Sequence, residues 1–177
     1  MNTPFIRSYD DHTPRIHASC FLAHDATIIG DVVLEEGANI WYGAVLRGDV
    51  GQIRVGRNTN IQDQCMLHCT TDRSSCIVHD HVTVGHRAIL HGCTVEEHAL
   101  IGMGAIVLDD AVVGSGAIVA AGSVILEHTV IPPDTLWAGV PARQVKELDG
   151  DESRTFLHAS AVHYVQSAER HADIQAD

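Results

Sequence analysis

VEEHALIGMGAIVLDDAVVGSGAIVAAGSVILEHTVI, residues 95–131, places an aliphatic side chain at every sixth position: Val95, Ile101, Val107, Val113, Val119, Ile125 and Ile131. Ile, Leu and Val make up about a quarter of the chain, so such an unbroken run in one register has a chance of roughly one in ten thousand. A period of six is neither the 3.6 of a helix nor the simple alternation of a flat strand. Followed backwards, the register runs through Leu90, Val84 and Val78 after one five-residue step. It crosses an excursion to Leu67, Ile61 and Val55, and a second one to Leu46, Ile40, Leu34, Ile28, Leu22 and Ile16. Four residues after most anchors stands a small or compact side chain, among them Cys20, Ala26, Ala44, Cys65, Ala88, Thr94, Ala99 and Ala117. One large and one small inward position per hexapeptide predicts an all-β fold, a parallel β-helix of about six triangular coils over roughly residues 16–136. Residues about eighteen apart then stack at one strand spacing, roughly 4.8 Å.

The chain has 177 residues, 45% of them hydrophobic, which suffices for one domain with a substantial core. A formal charge of −12 and a pI near 5.4 argue against nucleic acid or an anionic membrane as a partner, since both need a basic face. The first nine residues lack the apolar core of a signal peptide, and no stretch reaches the length of a membrane span, so a cytoplasmic protein is expected. The five cysteines form no CxxC pair, and Cys20 and Cys65 fall in the small inward slot, where they read as core residues. Pro132, Pro133 and Asp134 break the repeat, and Trp137 to Ala142 lead away from it. A helix is expected over 153–170, with Leu157, Ala161, Val162, Tyr164, Val165 and Ala168 on one apolar face packed along the coil. Residues 1–152 thus form the β-helix domain, and 153–177 the terminal helix and a tail frayed from His171 to Asp177.

The repeat also places the histidines. Leu46, Leu67 and Leu90 are anchors of one side in successive coils, so the residues after them, Arg47, His68 and His91, form an outward column with the two imidazoles adjacent. His86 lies two residues past Val84, at the corner leading into that side. Extended chain from His86 to His91 spans roughly 16 Å. Two histidines on one metal cannot stand much more than about 12 Å apart, given a Zn–N bond of about 2.0–2.1 Å. His86 therefore cannot easily join its own His68 and His91, but it can join those of a second copy, and a head-to-tail contact of that kind closes naturally as a threefold ring. The expected assembly is a homotrimer with three shared metal sites. Asp63 falls in the column of His86 one coil earlier with Gln62 beside it, and Asp49 follows Arg47. An Arg facing a carboxylate across such a contact fits an ion pair as well as a catalytic role. The remaining histidines, including His12, His81, His98, His158 and His171, read as surface or packing residues.

Arg47-Gly48-Asp49, Asn60-Ile61-Gln62-Asp63, Leu67-His68 and Val84-Gly85-His86 with Ile89-Leu90-His91-Gly92 together resemble the γ-class carbonic anhydrases, over about residues 10–170. The resemblance implies a left-handed β-helix, a trimer, and a metal ion held by two histidines of one chain and one of the next. It implies hydration of CO2 to bicarbonate by hydroxide formed on Zn2+, with Fe2+ and Co2+ also compatible with a three-histidine site. Gln62 and Asn60 would orient the reacting oxygen, Arg47, Asp49 and Asp63 would hold the ligands in an interface network, and Tyr164 would reach the pocket from the helix. The family's prototype carries a longer acidic loop after the first ligand, with a glutamate that shuttles protons. Here the segment from Cys69 to Cys76 has no Glu, so proton release would limit turnover unless Asp72 or a histidine such as His81 replaces it.

Two other readings use the same repeat. A coenzyme A-dependent acyltransferase shares the hexapeptides and the Gly139 to Ala142 exit but needs one catalytic histidine rather than three in these registers. A non-catalytic scaffold would keep the metal for assembly alone.

Overall fold

The computed structural model describes residues 3–176. Strands mostly two or three residues long alternate with turns and stack in parallel into a solenoid with three columns. Side one stacks Ile16, Leu34, Val55, Val78, Val95, Val113 and Ile131. On side two the column is Leu22, Ile40, Ile61, Val84, Ile101, Val119 and Trp137. Side three stacks Ile6, Ile28, Leu46, Leu67, Leu90, Val107 and Ile125. These seven rows make about seven turns instead of the six expected. Strand Phe5–Arg7 lays Ile6 against Ile28 and begins the solenoid ten residues before Ile16. At the other end Pro132 and Pro133 do not terminate it, because Thr135–Gly139 still pairs in parallel with Ile118–Val119. That strand then turns back as an antiparallel hairpin with Ala142–Glu147.

The anchors between the ends have no solvent exposure or almost none, which is why their identity is restricted to Ile, Leu and Val. The small slot lies two residues before the next anchor, as in Ala44 before Leu46 and Ala111 before Val113, and both are fully buried. At the five-residue step this rule selects Cys93, which is buried, in place of Thr94, which is half-exposed. The expected excursion between Leu46 and Val55 is a continuous strand, Val45–Val55, paired with Thr27–Leu34 through a bulge at Gly30 to Val32. Gly30 has φ +76°, and a side chain there would collide with the carbonyl oxygen of Gly48. Because these two strands round a corner unbroken, sides one and three share a single sheet.

Helix α1, Gly150–Ala176, is longer than the expected 153–170. The side chain of Asp149 accepts the backbone N–H groups of Asp151 and Glu152, which sets the start, and Arg154 makes a two-pronged contact with Asp134 at 2.9 and 2.8 Å. Leu157, Ala161 and Ala168 are buried against side two, as expected, whereas Val162 is exposed. Of the residues expected to fray, 171–176 are helical, and His171 and Gln175 are docked on the solenoid; Asp177 lies outside the described residues. His171 Nδ1 meets Tyr42 Oη at 2.9 Å, and Gln175 accepts from the backbone of His24 and donates to that of Leu22. No helix among the described residues is long and apolar enough to cross a membrane, and the five cysteines are free.

Candidate metal centre

Leu67 pairs with Leu90 and His68 with His91 in the sheet of side three, so the two imidazoles stand side by side on the outer face. Their ring centroids are 5.3 Å apart, and His68 Nδ1 faces His91 Nε2 at 3.3 Å. The second nitrogen of each ring is held by a carboxylate: His68 Nε2 lies 3.0 Å from Asp49 Oδ1, and His91 Nδ1 lies 2.8 Å from Asp109 Oδ2. A carboxylate only accepts, so both outer nitrogens carry the proton and both inner nitrogens, in the neutral rings, are left with lone pairs.

Two lone pairs 3.3 Å apart repel, and a shared cation removes the repulsion. Two ligands of a tetrahedral ion at about 2.0–2.1 Å from the metal are themselves about 3.3–3.4 Å apart. The donor set and its spacing therefore fit a zinc-type ion, with the outer carboxylates setting ring orientation and tautomer as in other histidine metal sites. Among the described residues, no three His, Cys, Asp or Glu side chains of one chain converge closely enough to enclose a metal.

His86 does not join the pair. It sits at the corner beyond Val84, 43% exposed, with Nδ1 2.7 Å from Asp63 Oδ2. As in the other two rings, one nitrogen stands beside an aspartate. Gln62 Oε1 accepts the backbone N–H of His86 at 3.2 Å, and Gln62 Nε2 donates to Asn60 Oδ1 at 3.0 Å. Asn60 in turn donates to Thr83 Oγ1 at 3.0 Å, and Thr83 meets Ser160 of α1 at 3.4 Å. Buried Gln62 and Asn60 thus spend their polar ends on a line of hydrogen bonds from the helix to the backbone of His86.

Arg47, next in the histidine column, donates to Asp49 Oδ2 and remains 42% exposed. Burial pushes the Asp49 carboxyl up, but hydrogen bonds from Arg47 and His68 more than reverse this and leave it below its ordinary value. Asp109 shows the same contest more strongly. Its burial is outweighed by hydrogen bonds from Ser74, His91 and Thr70, and its pKa falls to about 2. Asp109 and Ser74, whose hydroxyl lies 2.6 Å from the carboxylate, went unnoticed in the sequence. The signal was present, since Asp109 stands eighteen residues after His91, one turn of the solenoid. Tyr164 packs edge-on against Trp41 at 5.4 Å, in a cluster with Phe21 and Tyr42. Burial, then Asp63 and Cys65, raises its pKa, so the phenol stays protonated. Asp72 is near Asp49 in a groove with His12 and Asp31, whereas His81 belongs to a separate cluster under the helix.

The family described as "Bacterial transferase hexapeptide (six repeats)" matches residues 92–127. Over 92% of its length the chain is 45% identical to gamma carbonic anhydrase 1, mitochondrial, of Arabidopsis thaliana, and it spans 60% of the length of that relative. Identity to the carbonic anhydrase of Geobacillus kaustophilus is 43%, covering 84% of this chain and 81% of the relative. A solved structure, the hexapeptide transferase family protein from Anaplasma phagocytophilum, superposes with a TM-score of 0.89 at 39% identity, covering 93% of this chain and 96% of that one. Relatives carry both names, and the likeness runs through most of the chain. The chain belongs to the γ-carbonic anhydrase-like family of hexapeptide-repeat proteins.

Proposed function

We propose that the protein is a metal-dependent carbonic anhydrase assembled as a ring of three, each site taking His68 and His91 from one copy and His86 from the next. The observation that carries this reading is the pair of inward nitrogens 3.3 Å apart, each backed by an aspartate that fixes its tautomer. A bound Zn2+, Fe2+ or Co2+ would supply a water whose pKa is brought near 7 and hence hydroxide at neutral pH. What the chain contributes is placement. Asp49 and Asp109 hold the His68 and His91 rings, Asp63 holds the His86 ring, and Gln62 anchors the His86 backbone. Arg47 keeps guanidinium N–H groups free beside the pair, suited to a carboxylate of the neighbouring copy or to the bicarbonate product.

A ring of copies is supported by the surface around the histidines. The outward residues preceding the side-three anchors are Val45, Met66, Ile89, Ile106 and Val124, an apolar ridge in five successive turns beside the histidine column. Met103, 59% exposed, stands in the groove that holds His86 and Asp63.

The test is metal analysis of anaerobically purified protein followed by CO2 hydration on the same sample. One metal ion per chain and an activity removed by chelation are expected. Hydration by metal-free protein would overturn the reading. A coenzyme A-dependent acyltransferase is the second reading, favoured by the transferase name of the Anaplasma structure. It predicts thermal stabilisation by coenzyme A and no stoichiometric metal. If a trimer binds metal, the same sample does not hydrate CO2, and His86→Ala loses trimer and metal together, the metal serves assembly alone.

A further inference from the structure

A second trio of imidazoles is packed where α1 crosses the solenoid. His81 and His98 occupy the same turn position in successive coils, each with left-handed backbone at φ 56° and 58°. The backbone N–H of His81 donates to Arg57, that of His98 to Asp80, and that of Gly116 in the next turn to Glu97, so the two rings are held in register by the coil itself. The rings lie within 5° of parallel with centroids 5.1 Å apart, and His158 of α1 closes over them at 5.1 and 5.7 Å. The Nδ1 atoms of His81 and His98 are buried without a hydrogen-bond partner. The rings do not form a metal cage, since no three such side chains converge among the described residues.

His81 and His98 are half-buried in this stack, and His158 covers them from the exposed side. The charged groups around it are Arg57, Asp80 and Glu97 from the solenoid turns and Arg154 from the helix. Asp80 engages the Arg57 backbone N–H at 2.8 Å and its guanidinium at 2.9 Å, and Arg154 is paired with Asp134. Exposed Glu97 acts on Arg154. A proton placed on one ring therefore meets two neighbouring imidazoles; Asp80 is already engaged by Arg57, and Glu97 is turned out to solvent.

We propose that His81, His98 and His158 form an acid-sensitive latch that holds the first half of α1 against the solenoid near neutral pH and releases it when the stack takes up a proton. Burial, then His98 and His158, lowers the pKa of His81, with Asp80 pulling weakly the other way. The docked state therefore binds fewer protons than the released one. Docking is at full strength above the ordinary imidazole value of 6.5 and weakens as pH falls from there towards the lowered value. Ser160 stands two residues beyond His158 and begins the hydrogen-bond line through Thr83, Asn60 and Gln62 to the His86 backbone. Release of the helix slackens that line. This consequence for metal binding rests on His86 being a ligand; the latch itself does not.

The test is amide hydrogen exchange of the full-length protein at about pH 7.5 and 5.5, with rates corrected for their intrinsic pH dependence. In the wild type, protection over residues 150–162 is expected to fall, by at most about tenfold per pH unit for each proton taken up, while strand amides keep theirs. His158→Phe and His81→Phe keep a ring in place but remove one proton site, and the loss of helix protection between the two pH values should then be smaller than in the wild type. His163→Phe, on the exposed side of α1, should behave as the wild type. Equal wild-type protection at the two pH values, or an undiminished loss in both ring variants, overturns the latch. So does zinc titration at pH 7.5 if the wild type takes up an extra equivalent that His158→Phe lacks, since the trio would then be a metal site. The readout is the helix, so failure here leaves the carbonic anhydrase reading to its own test.

Discussion

Asp109 shows how a single side chain serves both the fold and the site. It is 5% exposed, accepts from Ser74 and His91, and so places the His91 proton on Nδ1. Asp109→Asn keeps the shape but can present its amide to His91, which allows the wrong tautomer. The expected result is a 10- to 100-fold loss of metal affinity, read by competition with a chromogenic chelator, with the β-sheet circular dichroism unchanged. A second consequence follows from its pKa of about 2 against an ordinary 3.8. The folded-state value is depressed, so the stabilisation is fully present above about pH 4 and is lost as pH falls through about 2. In metal-free protein, acid unfolding of the Asp109→Asn variant should show a flatter pH dependence than the wild type across that window.

Elements of the solenoid are too short to stand alone, and their stability comes from stacking in the column. Leu90, with no exposed surface, is the inward anchor of the strand that carries His91. Leu90→Ala should cost about 2–5 kcal/mol in denaturant unfolding, whereas Val130→Ala, at a side chain 67% exposed, should stay within about 0.5 kcal/mol. This same inequality explains what could be read in advance. Positions sealed between turns admit little besides Ile, Leu and Val, so the column from Ile16 to Ile131 and the register of His68 and His91 were legible from spacing alone. Ile6 was hidden by the ten residues before Ile16, and Trp137 by being aromatic where the pattern demanded an aliphatic residue. The start of α1 is set locally by Asp149, but its C-terminal extent depends on contacts far apart in sequence, such as His171 with Tyr42, which no local pattern announces. Asp109 and the His81–His98 stack escaped for a related reason: their meaning lies between turns, not along the strand.

At the scale of the whole molecule, the decisive question is whether the site is divided between chains. Take two variants, His86→Ala and His91→Ala, each purified alone. On the proposed ring, every site of the first lacks its third ligand and every site of the second lacks half of its pair, so both should bind metal poorly and be inactive. Mixed in equal amounts, unfolded and refolded together, the chains distribute at random, and about three quarters of the rings contain both kinds. In each mixed ring, one interface of the three joins an intact His68–His91 pair to an intact His86. About one quarter of the wild-type metal and CO2 hydration should therefore return. A site complete within one chain cannot be rescued this way, because no chain in the mixture has all three histidines. Recovery near one quarter supports the shared site, and no recovery in refolded trimers refutes it.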